Sequence, residues 1–300
     1  MADETFFDQT LTFSIPDKHC RGRAVRLGPV LDDILSAHAY PSNIRDLLAE
    51  AVCLTAMMGS LLKDDESQVT LQAQTESGVI SLLACDYKDG DLRGYVQFDR
   101  EQLAMQPLSP SLMALFGKGY LAITFDQPEP RGRNQGIVPL EGASLTEAVQ
   151  NYFLQSEQLP TLIRVSVAEQ EGKVAAGGLL VQHLPEGEEG KERLHVRMDH
   201  PEWEHVEIMG GSVSSQELVN KELSLENILW RLFSESDEVR VLSGKPCVKG
   251  CRCNEDHIRG VIARFPADDK KDMIDEAGNI GIDCAFCSKK FVISGASLNN

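Results

Sequence analysis

The chain has 300 residues, 42% of them hydrophobic and 25% charged, and 29 Lys and Arg against 46 Asp and Glu leave a net charge of −17. These proportions suit a soluble globular protein built as one large domain or two unequal ones, and the acidity argues against nucleic acid, whose phosphates need a basic footprint. No apolar run approaches the ~20 residues that cross a bilayer, and Met1-Ala2-Asp3-Glu4-Thr5 lacks the basic and apolar stretches of a secretory leader, so the expectation is a cytoplasmic protein with no membrane partner.

Residues 1–185 read as an N-terminal core domain of mixed α/β character in a chain whose overall class is α+β. Ser42 or Asn43 is placed to cap a helix with Ile44, Leu47, Leu48, Ala51, Leu54, Met58 and Leu61 at helical spacing. Met57 and Met58 read as core filling. Alternation marks strands through Val69, Leu71 and Ala73, over 79–87, over 92–98 after a Lys88-Asp89-Gly90-Asp91 turn, and over 120–125. Ser144-Leu145-Thr146-Glu147 reads as a capping box for a helix that buries Leu145, Ala148, Val149, Tyr152 and Phe153 and ends at Pro160. Ile163, Val165 and Val167 share a strand face, and a Glu171-Gly172-Lys173 turn leads to a strand over 174–181, where Gly177-Gly178 allow close backbone approach.

Composition changes at Pro185-Glu186-Gly187-Glu188-Glu189-Gly190, a plausible domain edge. The segment 186–244 carries fourteen acidic and six basic residues and reads as a linker with helical pieces. Ser214 with Glu217 forms a second capping box leading to Leu218, Val219 and Leu223. Ser224 caps a helix that puts Leu225, Ile228, Leu229, Leu232 and Phe233 on one side, with Trp230 beside them. Short amphipathic helices are marginal alone, so this segment is expected to fold only while docked.

Residues 245–300 are near neutral, with nine basic and eight acidic residues. Asn254 caps a helix through Ile258, Val261 and Ile262 that stops near Pro266; Asp268 and Asp269 open a second one through Met273 and Ile274. Gly278-Asn279 turns the chain into a strand with Ile280 and Ile282, and Phe291, Val292 and Ile293 form a returning one. So few apolar residues rarely hold a domain together without a staple.

The staple is legible in the cysteines. Cys251-Arg252-Cys253 and Cys284-Ala285-Phe286-Cys287 can surround one tetrahedral Zn²⁺ with Zn–S bonds of about 2.3 Å. Each pair can instead close into a disulfide, so metal-bound and oxidised states are both open to it. In a reducing cytosol such a cluster points to metal or redox sensing rather than a permanent disulfide scaffold. Structural zinc supplies roughly 10–16 kcal/mol in small peptides, against a domain stability of ~5–15 kcal/mol, so losing it should unfold the module. A permanent zinc knuckle and a switch both fit the spacing; the tight Cys-x-Cys half leans toward a switch. Four cysteines leave no open coordination place for catalysis. Cys247 exceeds the count and reads as a bystander, His257 as a surface or helix-packing residue, and Cys53 and Cys85 as small core residues; Cys20 has no paired spacing either. No Ser/His/Asp triad, Walker sequence or dinucleotide fingerprint is present, and Arg131-Gly132-Arg133 is too short for a phosphate loop. The enzymatic rival is a thiol–disulfide oxidoreductase using Cys284 and Cys287; a zinc-dependent adaptor is the third reading.

The chain resembles the heat shock protein 33 family of redox-regulated holdase chaperones over nearly its whole length. The resemblance rests on Tyr152-Phe153 through Ser156-Glu157-Gln158-Leu159-Pro160, Ala176-Gly177-Gly178-Leu179-Leu180 with Leu184-Pro185, Glu226-Asn227-Ile228-Leu229-Trp230-Arg231-Leu232-Phe233, and the two cysteine pairs. It implies one Zn²⁺ per reduced chain on Cys251, Cys253, Cys284 and Cys287, which keeps the C-terminal switch folded, the linker docked and the chaperone inactive. It implies that peroxide or hypochlorite, combined with unfolding stress, produces Cys251–Cys253 and Cys284–Cys287 disulfides, releases zinc and unfolds switch and linker. The exposed protein, as a homodimer, would then hold unfolding client proteins without ATP and without catalysing a reaction. Cys247 departs from the family's usual four cysteines.

Overall fold

The computed structural model describes residues 7–170, 172–184 and 200–295; the expected domain edge at 185–190 and Glu171 of the expected turn lie outside them. The chain opens with an antiparallel pair that no strand expectation covered, β1 (Gln9–Ile15) and β2 (Cys20–Leu27). Arg21, Arg23 and Arg26 make β2 look like a polar loop, yet residues 22–27 are all buried. The short helix α1 (Pro29–Leu35) and the long α2 (Ser42–Gly59) follow. Pro41 is the N-cap of α2 and no side chain caps it, so the capping role expected of Ser42 or Asn43 is not filled; the Asn43 carboxamide accepts from the neighbouring Ile44 N–H instead. From Leu47 to Gly59 every residue of α2 except Glu50 is buried. A helix buried on all sides must be enclosed rather than laid on a surface.

Two sheets enclose it. β3 (Gln68–Gln74), β4 (Ile80–Lys88) and β5 (Asp91–Phe98) form an antiparallel meander. After the short helices α3 (Arg100–Ala104) and α4 (Leu112–Phe116), β6 (Tyr120–Asp126) and β7 (Arg133–Pro139) pair outward from β3. The helix α5 (Leu145–Gln155) buries the five residues expected of it. Ser144 Oγ accepts from Glu147 N–H, but the Glu147 carboxylate takes Ala143 N–H, so the box is half formed. α5 ends well before Pro160, because Gln158 turns into the left-handed region at φ 53°. The hairpin β8 (Thr161–Gln170) and β9 (Lys173–His183) then closes onto β2.

In β9 the period of two explains a nearly continuous apolar run. Ala176 and Leu180 face the α2 core, while Leu179 and Val181 face outward into a second apolar cluster. Three linker helices cover that outer face: α6 (Pro201–Gly211), α7 (Ser215–Val219) and α8 (Leu225–Phe233). Trp203, Val206, Leu218, Ile228, Leu229 and Phe233 pack there on Leu11, Phe13, Ile15, Leu162, Leu179 and Val181. The capping box of Ser214 and Glu217 is complete, and the expected stripe of α8 is buried while Trp230 stays 70% exposed. Gly177 is required here: a Cβ would lie 2.1 Å from the Leu218 carbonyl oxygen. Arg26, fully buried, donates from Nε to Leu218 O at 2.8 Å, from Nη1 to Leu223 O at 2.5 Å and from Nη2 to Glu217 O at 3.1 Å.

The strand β10 (Arg240–Ser243) returns to the sheet beside β1, completing the order β10-β1-β2-β9-β8. Next, β11 (Val248–Lys249) runs parallel to β5 as the edge of the sheet β11-β5-β4-β3-β6-β7. Residues 245–250 thus follow the rim of the core although the sequence places them in the C-terminal module. Beyond them come α9 (Glu255–Ala263), α10 (Ala267–Asp272) and the hairpin β12 (Asn279–Asp283) with β13 (Lys290–Ser294); among the described residues their buried cluster is Ile262 of α9, Ile280 of β12 and Ile293 of β13, flanked by Ile258 and Ile282. α10 ends one residue short of Met273 and Ile274, because the Asp275 carboxylate gathers the Ala277 and Asn279 amides into a turn. The α+β class expected from sequence is the class observed. No helix among the described residues is long and apolar enough to cross a membrane.

Candidate metal centre

Two loops carry the cysteines, and each is fixed by backbone hydrogen bonds. Gly250 N–H donates to Leu92 O at 2.9 Å, which ends the run of β11 along β5 and sets Cys251 at the rim of the core. Asn254 caps α9 through His257 N–H and fixes the exit from Cys253. On the other side the β12–β13 hairpin turns through Cys284 to Cys287. Ser288 N–H donates to Cys284 O, Cys284 N–H donates to Lys289 O, and Ser288 takes φ 57° to close the turn.

The four sulfurs all lie within 4.8 Å of one another. Cys251 Sγ is 3.6 Å from Cys284 Sγ, and Cys253 Sγ is 3.5 Å from Cys287 Sγ. A tetrahedron with metal–sulfur bonds of ~2.3 Å has edges of about 3.8 Å, whereas a disulfide brings sulfurs to about 2.05 Å. The spacing fits a tetrathiolate cage around one ion. An all-sulfur donor set selects zinc or another thiophilic metal over hard cations. All four are free thiols, half-buried. Burial opposes ionisation of Cys251, but the Cys253 amide and the thiols of Cys253, Cys287 and Cys284 outweigh it and bring its pKa down to about 7. Burial and the neighbouring sulfurs push the Cys253 thiol up, and burial pushes Cys287 up as well.

The remaining candidates lie elsewhere. Cys247 is 2% exposed within the α2 core, its N–H donates to Asp8 O, and burial pushes its thiol up to about 12. Its sulfur is outside the cluster, as is the His257 ring. Cys53 and Cys85 are core residues whose thiols burial raises further, and Cys20 is buried beneath the linker helices.

Sequence reasoning missed the residues that seat the cluster on the core. Arg252, between the first two cysteines, donates from Nη2 to Gln68 Oε1 at 3.0 Å and to Asp86 Oδ2 at 3.4 Å. Phe286, between the second two, has the Arg93 guanidinium carbon 4.1 Å from its ring centroid and the Tyr95 ring edge-on at 6.4 Å. His38 Nε2 lies 2.7 Å from Ala285 O, and Ser288 Oγ donates to Ala37 O at 2.7 Å. A cation inside a Cys-x-Cys pair and an aromatic inside a Cys-x-x-Cys pair were the available signals, but their partners are more than a hundred residues away in sequence.

Comparison with known proteins gives concordant matches. The family described as Hsp33 protein matches residues 8–294. The 33 kDa chaperonin of Caulobacter vibrioides is 37% identical over 290 residues, 94% of this chain and 93% of that one. The 33 kDa chaperonin of Salmonella typhi is 28% identical over 291 residues, 97% of this chain and 94% of that one. In fold, the crystal structure of the 33 kDa chaperonin (heat shock protein 33 homolog) from Thermotoga maritima matches with a TM-score of 0.77, at 21% identity, over 97% of each chain.

Proposed function

This chain belongs to the Hsp33 family of chaperones, and from that premise we propose that it is a redox-regulated, ATP-independent holdase whose switch is the four-cysteine cluster. The observation that carries the reading is the gathering of four sulfurs within 4.8 Å on two loops, in a module with three buried isoleucines for a core. Zinc, one ion per reduced chain on Cys251, Cys253, Cys284 and Cys287, would supply the crosslink that so thin a core lacks. The division that follows is a core of 1–185, a linker of 186–244 and a switch of 245–300.

Oxidation acts on the chain's own thiols. A peroxide-class oxidant takes two electrons from a cysteine sulfur, giving a sulfenic acid and water; the neighbouring thiol displaces a second water and closes the disulfide. Pairing within each loop, Cys251 with Cys253 and Cys284 with Cys287, consumes all four metal ligands. The hairpin core alone is then too small to hold the module. Cys251 follows β11 by one residue, and β10 and β11 tie the C-terminal end of the linker to β1 and β5, so unfolding of the module frees the linker by carrying these short edge pairings away with it. Undocking of α6, α7 and α8 bares Phe13, Ile15, Leu162, Leu179 and Val181 together with the apolar faces of the helices, a contiguous patch of the kind that captures unfolding proteins. We further assign the protein to the cytoplasm and its oxidised form to a homodimer, with unfolded clients as partners and no nucleic acid or membrane. The oxidoreductase reading finds no support in Cys287, whose thiol is raised rather than activated.

The test compares suppression of aggregation of a thermally unfolding client by reduced, zinc-loaded protein and by protein warmed with peroxide. Suppression by the oxidised form alone is expected; equal activity of both forms would remove the switch.

A further inference from the structure

The side chains of β4 alternate: Cys85 and Tyr87 point into the α2 core, and Asp86 points to the opposite face of the six-stranded sheet. There it sits in a row with Thr70 of β3 and Arg93 of β5, its register partners on either side. Asp86 is 4% exposed and uses both oxygens. Oδ1 accepts from Thr70 Oγ1 at 2.7 Å, and Oδ2 accepts from Arg93 Nε at 2.6 Å and from Arg252 Nη2 at 3.4 Å. Thr70 and Arg93 belong to the core. Arg252 belongs to the first cysteine loop, and Arg93 in turn carries the Phe286 ring of the second.

We propose that Asp86 is the positioning residue for the whole cysteine cluster: one buried carboxylate docks the Cys251–Cys253 loop through Arg252 and the Cys284–Cys287 loop through Arg93 and Phe286. A guanidinium held by a carboxylate is orientationally fixed, so Arg93 offers Phe286 a rigid cationic platform rather than a mobile surface side chain. Arg252 has a buried Nη1 with no hydrogen-bond partner among the described residues, which makes its link to Gln68 and Asp86 its main anchorage. Burial, then Arg93, lowers the Arg252 pKa, while Asp86, Asp91 and Cys251 oppose that.

This inference rests on the metal-site reading above, and the experiment separates the two. In full-length reduced protein, zinc content is measured first; wild-type protein without zinc would remove the metal reading. Docking is read independently, as amide exchange at 251–253 and 284–288, alongside the rate at which a chromogenic chelator takes up zinc. Asp86→Asn is expected to speed both by roughly tenfold or more, the scale of losing a charge-assisted hydrogen bond, with exchange of α2 unchanged. Adding Arg252→Gln to Asp86→Asn should speed them by less than the product of the two single effects, because the variants share the Asp86 link and differ only in the Arg252 bond to Gln68. Rates within twofold of wild type, or full multiplication of the two effects, would overturn the proposal. If Asp86→Asn does not fold, Arg93→Gln and Arg252→Gln replace it: each should accelerate release, and together by less than the product. No effect, or the full product, would count against Asp86.

Discussion

Arg26 offers the sharpest test of how the linker is held. Its guanidinium is fully buried and gives three hydrogen bonds to carbonyls at the end of α7 and the turn before α8. Arg26→Met keeps most of the stem's volume and removes every donor. Docking no longer desolvates a cation, which returns several kcal/mol. Against that, three charge-assisted bonds of ~1.5–3 kcal/mol each are lost, and the carbonyls of Leu218 and Leu223 are left without a partner at ~1–3 kcal/mol each unless water reaches them, while the Glu217 carbonyl keeps the Asn220 N–H. The balance is a weakening of linker docking by at least about 3 kcal/mol, a factor of ~100 or more in the docking equilibrium. Amide exchange on reduced, zinc-loaded protein should show residues 214–233 opening at least ~100-fold more readily while α2 keeps its protection, and the variant should suppress client aggregation without oxidant. Unchanged protection over 214–233, or loss of α2 protection to the same extent, would refute the reasoning.

Two further substitutions probe the core. Cys247→Ser should leave zinc at one ion per chain while lowering stability to denaturant by about 1–3 kcal/mol, because a hydroxyl replaces a buried thiol; a fall in zinc content would show Cys247 to be a ligand. Glu50 accepts the N–H and hydroxyl of Thr146, yet burial still raises its carboxyl pKa. A raised folded pKa means that folding disfavours the carboxylate, a penalty absent in acid and complete once pH exceeds the folded value. Glu50→Gln should therefore raise the urea midpoint at pH 7–8, and the gain should close as pH falls toward the unfolded value near 4.3; a gain independent of pH would contradict this.

How much was legible depended on whether the deciding partner was near in sequence. The stripe of α8, the box at Ser214 and the cap at Asn254 are local patterns, and they were readable because cap and stripe are set within a few residues. The four cysteines were readable because thiol spacing carries its own chemistry. The strands β1 and β2 were not, since three arginines disguise a buried strand whose Arg26 finds its acceptors nearly two hundred residues away. β11 escaped notice because two residues make no pattern; only its pairing with β5 defines it. Asp86 was illegible for the same reason: in sequence it is one acidic residue in an alternating strand, and its meaning comes from the guanidinium groups the fold brings to it.

The most direct measurement is zinc content and far-UV circular dichroism followed together as peroxide is added to reduced, full-length protein at a temperature where the core is stable. The account predicts about one zinc per chain at the start, release in step with loss of four thiols, and a parallel loss of helical signal from the switch and linker that thiol reductant plus zinc reverses. A chain that holds no zinc yet keeps residues 251–295 folded, or that loses its metal with no change in the spectrum, would contradict it.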